Sequence, residues 1–424
     1  MPRFIVQGGN PLHGRIKING AKNAVLPMMA AAVLTESECV IKDVPDIRDV
    51  RVMVRILRDI GVEVELEDVN GQRHLSLKAE QIRTDTIPAE LMREMRSSVL
   101  LIGPMLARLG SACMTHPGGC AIGLRPIDMH LNGFRKLNAR IERYHDEVRV
   151  LASEEGLLGT DIHLEYPSVG ATENAMMAAT LAQGVTRIWN PAREPEIDNL
   201  AEFLRLMGSR IWGTGTDVIT VEGREKLGGA ECTVIPDRIE AGTFAVAAAI
   251  TGGEVELENV CPSHMRAFIS KMCEVGVRII RLEDGSLRVQ SPSRPRAADL
   301  RTLPYPGFPT DLQNQYLAMA CAADGTSVIT ETIFENRFKV AEEFVRMGAL
   351  IRTEGRLAVV KGVPTLSGTR VKANEDLRGA ASLILAGLRA EGTTEVQGAD
   401  PVDRGYMDFA GRLQKLGACI CRQD

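Results

Sequence analysis

Ile60-Gly61-Val62-Glu63-Val64 ends one stretch of this 424-residue chain, and the same pattern returns four times. The copies are Met207-Gly208-Ser209-Arg210-Ile211, Val275-Gly276-Val277-Arg278-Ile279, Met347-Gly348-Ala349-Leu350-Ile351 and Leu416-Gly417-Ala418-Cys419-Ile420. Each reads as the last apolar residue of a helix, a glycine in a left-handed cap and the alternation of a strand. A sixth copy, Leu137-Asn138-Ala139-Arg140-Ile141, has asparagine at the glycine position, the next-best residue for that conformation. Neighbouring copies lie roughly 70 residues apart, so the chain reads as six units of one supersecondary design.

Each unit holds a helix that is apolar nearly all round: Asn23 to Leu34, Asn174 to Ala182, Thr243 to Ile250, Gln315 to Ala323 and Ala380 to Leu388. A helix without a polar face is buried on every side. A strand follows, and then a second helix with an apolar stripe, as in Val50, Met53, Val54, Leu57 and Ile60, which is expected to be half exposed. The expected class is therefore α/β, in βαβαββ-type units. Three buried helices enclosed by three sheets make one domain, six units make two, and the cleft between them is the natural site. The boundaries are set at 20–235 for repeats one to three and at 1–19 with 236–424 for the rest. The strand Phe4 to Gln7 precedes repeat one and can pair with either half.

Hydrophobic residues make up 45% of the chain, enough for large cores, and aromatics only 4%, so the packing relies on small side chains. A net charge of −5 argues against general nucleic-acid or membrane-surface binding, so an anionic ligand must be gathered by a focused cluster. The start of the chain lacks the apolar core of a signal peptide, and no run approaches the length of about 18 apolar residues that a membrane span needs. The 9 cysteines follow no CxxC spacing, which suits reduced thiols in a cytoplasmic protein.

Polar residues recur at two positions of the repeat. At the starts of the buried helices are Lys22 and Asn23, Arg96, Glu173, Arg238 and Glu240, Asp311, and Asp376 with Arg378; before the second helices are Arg48, Arg125, Glu196, Arg337 and Arg404. If pseudo-symmetry aligns the helices, arginines and helix N-termini gather at one end of each domain, where a phosphate or pyrophosphate would be held. Singly, such residues also serve as caps and solvated loop ends.

The second unit carries Pro117-Gly118-Gly119-Cys120-Ala121-Ile122-Gly123-Leu124-Arg125-Pro126, whose glycines and prolines spell a loop. Cys120, among glycines and near Arg125, is expected to be accessible with a lowered pKa; most of the other eight cysteines are read as core packing. No phosphate loop of the GxxxxGK[ST] type, no HExxH and no GxSxG occurs, and of the scattered histidines only His130 falls near the inferred site. Neither a metal nor another cofactor is expected.

Gly20-Ala21-Lys22-Asn23-Ala24, Pro117-Gly118-Gly119-Cys120, Arg193-Glu194-Pro195-Glu196-Ile197, Pro236-Asp237-Arg238-Ile239-Glu240, Phe308-Pro309-Thr310-Asp311, Phe334-Glu335-Asn336-Arg337-Phe338, Asp376-Leu377-Arg378 and Asp403-Arg404-Gly405-Tyr406 run in order along the whole chain. Together they resemble the UDP-N-acetylglucosamine 1-carboxyvinyltransferase family of enolpyruvyl transferases, which begins peptidoglycan precursor synthesis. The cysteine loop separates that family from the related shikimate-pathway transferase. The resemblance implies a two-domain inside-out α/β barrel that closes over UDP-N-acetylglucosamine and then phosphoenolpyruvate, with the cysteine loop as lid.

It also implies roles. Lys22, Arg125 and Arg404, with Asn23 and Arg378 beside them, would hold phosphoenolpyruvate. Asn23, Arg96, the segment Arg125, Pro126, Ile127, Asp128 and Met129, the stretch Ser168, Val169 and Gly170, and Asp311 and Ile333 would contact the sugar nucleotide. Asp311 would accept the proton of the sugar 3-hydroxyl, and Cys120 would protonate the methylene carbon. Tyr166, Ala241 and Phe338-Lys339-Val340 depart from the usual family residues, as in a divergent second copy. The partners are these two small molecules, with neither nucleic acid nor membrane, and the protein is expected to be a monomer or weak oligomer. Rival readings are transfer to another acceptor such as shikimate 3-phosphate, and a non-catalytic repeat scaffold; the acidic charge and Cys120 count against the scaffold.

Overall fold

The computed structural model describes residues 2–115, 123 and 127–423. These form a mixed α/β structure with six sheets among the described residues. In one of them Val185–Trp189 pairs in parallel with Asp161–His163 and antiparallel with Val218–Glu222, which in turn pairs antiparallel with Arg210–Trp212. The helix Val169–Ala179 connects the parallel strands, and Pro195–Leu206 leads from Val185–Trp189 to the hairpin. Four other sheets repeat that order. The sixth, of Ser111–Thr115, Glu147–Ala152 and Ala139–Tyr144, has three strands, its parallel partner reduced to a bridge between Thr86 and Cys113.

Three sheets are completed by strands remote in sequence. Arg3–Gln7 lies between Thr393–Gln397 and Cys419–Gln423, so the start of the chain joins its last sheet. His13–Lys17 pairs with Glu254–Glu258, and Glu231–Thr233 pairs with Cys39–Lys42. The described residues accordingly divide into two compact units, one of 2–19, 123 and 236–423 and the other of 20–115 and 127–235.

The repeated turn is left-handed at every copy. Gly61, Gly208, Gly276, Gly348 and Gly417 have φ of 106, 100, 93, 88 and 95°, and Asn138 has 70°. A Cβ would crowd the backbone there, which is why glycine or asparagine occupies the position. A second left-handed position escaped the pattern: Asp43, Asn190, Asn259 and Gly398 directly follow Cys39–Lys42, Val185–Trp189, Glu254–Glu258 and Thr393–Gln397 and have φ of 61, 54, 54 and 61°.

In the unit of 236–423 the helices Arg238–Thr251, Gln313–Ala322 and Leu377–Arg389 pack on one another, and every residue of Gln313–Ala322 is buried. In the other unit Ile102–Leu109 packs on Val169–Ala179. Helices start earlier than the apolar periodicity indicates: at Val169, not Asn174; at Arg238, not Thr243; and at Leu377, not Ala380. These earlier starts are capped, with Ser168, Asp237 and Asp376 accepting backbone N–H groups. The second helix Arg48–Asp59 buries Val50, Met53, Val54 and Leu57 and exposes Arg51, Arg55 and Arg58.

Among the described residues no helix is long and apolar enough to cross a membrane. The reading of most other cysteines as core packing needs correction. Cys39, Cys113, Cys232 and Cys321 are buried, but Cys273, Cys419 and Cys421 are exposed and Cys261 is partly so. On the terminal strand the side chains alternate, so inward Ile420 leaves Cys419 and Cys421 outside.

Candidate active site

In the unit of 236–423, aspartates stand at the starts of all three buried helices. Asp237 accepts from the backbone of Ile239 and Glu240 at 2.8 and 3.0 Å, and Asp376 accepts from Arg378 N at 3.0 Å. Asp311 lies in the 3₁₀ turn Thr310–Leu312 that leads into Gln313–Ala322. Its two oxygens accept from different guanidinium groups: Oδ1 from Arg337 Nη2 at 2.6 Å and Oδ2 from Arg378 Nη2 at 3.0 Å. Both arginine side chains are only 3% and 5% exposed, against 27% for Asp311. The carboxylate is thus partly exposed while two buried guanidinium groups hold its two oxygens.

The arginines are fixed in turn. Arg337 donates Nε to Thr310 Oγ1 at 3.3 Å, reaches Asp376 at 4.0 Å and lies 5.0 Å from the Phe334 ring. Thr310 donates to Glu331 Oε2 at 2.9 Å, and Glu331 Oε1 accepts from Ile333 N at 2.7 Å, so one buried carboxylate shapes the segment carrying Ile333. Asn314 donates to Asp376 at 3.0 Å, joining the starts of two helices. This end of the unit is therefore an interleaved arginine and aspartate lattice, which corrects the expectation of a simply cationic one. An incoming anion competes with aspartates for these guanidinium groups. Arg404 sits at the end of the 3₁₀ turn Asp400–Arg404, partly exposed.

In the unit of 20–235, Lys22 opens the helix Lys22–Ala31 and pairs with Asp49 at 2.5 Å, both side chains being buried. Asn23 follows, partly exposed, and Arg96 begins the 3₁₀ turn Arg96–Leu101. Ser168 caps Val169–Ala179 through Ala171 N at 3.4 Å. His130 Nδ1 lies 2.9 Å from Asn174 Nδ2, and a Cβ on Gly170 would lie 3.0 Å from the His130 ring, a tight approach that glycine avoids. Ile127 is buried, Met129 partly exposed, and Asp128 is exposed in the first turn of Asp128–Lys136, pairing with Arg143 at 3.2 Å. Glu173 is buried, and burial, then Glu196 and Glu194, push its carboxyl well above the ordinary range. Cys120, Arg125 and Pro126 lie outside the described residues.

A family model described as EPSP synthase (3-phosphoshikimate 1-carboxyvinyltransferase) matches residues 6–413. UDP-N-acetylglucosamine 1-carboxyvinyltransferase 1 of Symbiobacterium thermophilum is 54% identical over 422 residues, covering 99% of this chain and 95% of its own. Its namesake in Caldanaerobacter subterraneus subsp. tengcongensis is 51% identical over 421 residues, 99% of each chain. The chain belongs to the UDP-N-acetylglucosamine 1-carboxyvinyltransferase family. In fold this family member is similar to the enolpyruvyl transferase NikO from Streptomyces tendae, with a TM-score of 0.89 at 23% identity over 100% of this chain and 99% of that one. It is also similar to an EPSP synthase from Acinetobacter baumannii, with a TM-score of 0.75 at 21% identity over 100% of both chains.

Three residues that bond to candidate site residues were not singled out in the sequence: Asp49 in the unit of 20–235, and Glu331 and Asn314 in the unit of 236–423. Asp49 carried a usable signal, because it lies four and seven residues before Met53 and Ile56 and so falls on the buried face of its helix. Glu331 follows Thr326–Thr330 at the place where four other repeats have a left-handed residue, and nothing in its neighbours announces its hydrogen bonds.

Proposed function

We infer that the protein transfers the enolpyruvyl group of phosphoenolpyruvate to the 3-hydroxyl of UDP-N-acetylglucosamine and releases phosphate, the first committed step of peptidoglycan precursor synthesis. The observation that carries this reading is the partly exposed Asp311 carboxylate, whose oxygens accept from the buried Arg337 and Arg378. The sugar oxygen bonds to C2 of phosphoenolpyruvate and its proton passes to Asp311. The Cys120 thiol gives its proton to the methylene carbon, producing a tetrahedral ketal. Loss of phosphate with a proton from the new methyl group restores the double bond on the sugar. Such positioned acids and bases contribute about 10²–10⁴-fold each.

In this reading Lys22, Asn23, Arg125, Arg378 and Arg404 bind phosphoenolpyruvate, and their fixed cations offset the charge of its phosphate and carboxylate. Asn23, Arg96, residues 125–129, Ser168, Val169, Gly170, Asp311 and Ile333 contact the sugar nucleotide. The two units are read as inside-out α/β barrels of three repeats each, working together in the cytoplasm as a monomer or weak oligomer without a cofactor.

The test is phosphate release from phosphoenolpyruvate by purified protein with a panel of acceptors. Release with UDP-N-acetylglucosamine and none with shikimate 3-phosphate is expected; the reverse overturns the reading. Fosfomycin, an epoxide resembling phosphoenolpyruvate, is expected to alkylate Cys120, and a label mapped to another cysteine removes Cys120 from its role.

A further inference from the structure

The repeat that carries Asp311 breaks its own pattern at one position. After Cys39–Lys42, Val185–Trp189, Glu254–Glu258 and Thr393–Gln397 the chain turns on a left-handed residue, Asp43, Asn190, Asn259 or Gly398. After Thr326–Thr330 it turns instead on Glu331, which is fully buried and not left-handed. A small residue makes that turn cheaply, whereas a buried carboxylate loses its hydration and persists only when its oxygens are hydrogen-bonded. The turn alone therefore does not account for Glu331, and a break in a local rule of this kind marks a functional position.

Its two oxygens serve different segments. Oε1 accepts from the backbone of Ile333 at 2.7 Å and of Phe334 at 3.2 Å, and both residues are partly exposed. Oε2 accepts from Thr310 Oγ1 at 2.9 Å, 21 positions away. Thr310 has one hydroxyl proton and gives it to Glu331, so its lone pairs receive Arg337 Nε at 3.3 Å. The same guanidinium donates Nη2 to Asp311 Oδ1 at 2.6 Å. A continuous path of hydrogen bonds thus runs from the backbone of Ile333 through Glu331, Thr310 and Arg337 to Asp311. Arginine has several rotatable bonds, and the Thr310 contact at Nε fixes the plane in which Nη2 meets Asp311.

We propose that Glu331 is a positioning residue that ties the segment contacting the sugar nucleotide to the Asp311 carboxylate, through Ile333 and Phe334 on one oxygen and through Thr310 and Arg337 on the other. It touches neither substrate and acts through these groups. One arm sets how the acceptor is seated, and the other sets how the base is aimed at the acceptor hydroxyl. The proposal rests on the enolpyruvyl transfer reading for its effect on turnover, and on the assignment of Ile333 to the sugar nucleotide for its effect on binding. Loss of a hydrogen bond to a charged group is worth about tenfold or more on the step it serves.

The experiment compares Glu331→Ala, Thr310→Val and Thr310→Ser, with thermal melting alongside. Glu331→Ala removes both arms and is expected to lower kcat about tenfold and raise KM for UDP-N-acetylglucosamine about tenfold, while KM for phosphoenolpyruvate moves less than about twofold. Thr310→Val removes only the arm to the base, so kcat should fall about tenfold with KM for UDP-N-acetylglucosamine within about twofold; Thr310→Ser keeps the hydroxyl and should restore kcat to within about threefold of wild type. On an Asp311→Asn background Glu331→Ala should lower kcat less than about twofold further, because the carboxylate it acts through is gone. An unchanged kcat, an equal rise in KM for both substrates, or full additivity with Asp311→Asn overturns the proposal. Should Glu331→Ala fail to fold, the two Thr310 variants decide it: equal kcat in Thr310→Val and Thr310→Ser sinks it. Calorimetry with UDP-N-acetylglucosamine alone reads the other arm without turnover, and Glu331→Ala should bind about tenfold more weakly than wild type and Thr310→Val as wild type does. Binding by Glu331→Ala as tight as by wild type sinks the proposal. The expected binding pattern in a protein that releases no phosphate sinks the enolpyruvyl reading alone, and a wild type that does not bind UDP-N-acetylglucosamine sinks both.

Discussion

In the unit of 20–235 the buried Lys22 faces the buried Asp49 at 2.5 Å, and Glu173 lies near carboxylates that repel its ionised form. In the unit of 236–423 one carboxylate, Asp311, is shared by Arg337 and Arg378, and those arginines reach on to Asp376, Thr310 and Tyr406. The same repeat therefore supports two electrostatic designs. Removing one member of a buried ion pair is costly, because the other loses a close opposite charge where water does not replace it. A shared lattice spreads the loss, since Arg337 keeps Thr310 and Asp376 and Arg378 keeps the face of the Tyr406 ring. The lattice is suited to a carboxylate that must exchange a proton without collapsing its surroundings.

The largest expected effect tests the lattice. Asp311→Asn retains an oxygen for one arginine but cannot take up the hydroxyl proton, so turnover should fall about 10²–10⁴-fold while UDP-N-acetylglucosamine binding by calorimetry is retained. Near-normal turnover would remove Asp311 from its role and the comparison with it. Next comes the pair: Asp49→Ala should cost about 3–5 kcal/mol in urea unfolding, more than Asp311→Asn costs on the same scale, because it removes the carboxylate 2.5 Å from the buried Lys22 ammonium.

Glu173→Gln sharpens the contrast through pH. An ordinary glutamate ionises near 4.5, whereas burial and then Glu196 and Glu194 push the Glu173 carboxyl well above that in the folded chain. Above that pH the unfolded chain binds fewer protons than the folded one, so wild-type stability declines as pH rises. The glutamine variant lacks this decline and should gain on wild type between about pH 5 and 8; parallel curves would show that the acid cluster carries no such strain. The smallest effects concern the frame that both units share. Gly208→Ala meets no atom within 4 Å but forces an alanine to φ near 100°, for a cost of about 1–2 kcal/mol. Asn138→Gly, losing only an exposed bond to Ser153, should stay within about 0.5 kcal/mol by thermal melting.

The site residues separate by how far their partners lie along the chain. Lys22, Asp311, Arg337 and Arg378 were legible as polar residues at repeated helix starts, because an apolar helix with a charged first turn is a local pattern. That Asp311 would bind Arg378, 67 positions away, or Thr243 meet Tyr406, 163 positions away, was not. The Cys120 loop was legible only through its glycines and its resemblance.

Thus the sequence by itself determined the six left-handed turns and the mixture of buried and striped helices, along with the family. Each of these depends on Cβ crowding or periodicity within a few residues, or on matching motifs in order. The tertiary structure decided that Arg3–Gln7 would complete the last sheet, that Asp49 would face Lys22, and that aspartates would share the arginines of the candidate site. Those outcomes depend on distances between side chains brought together only when the helices pack, and no local stretch of sequence contains them.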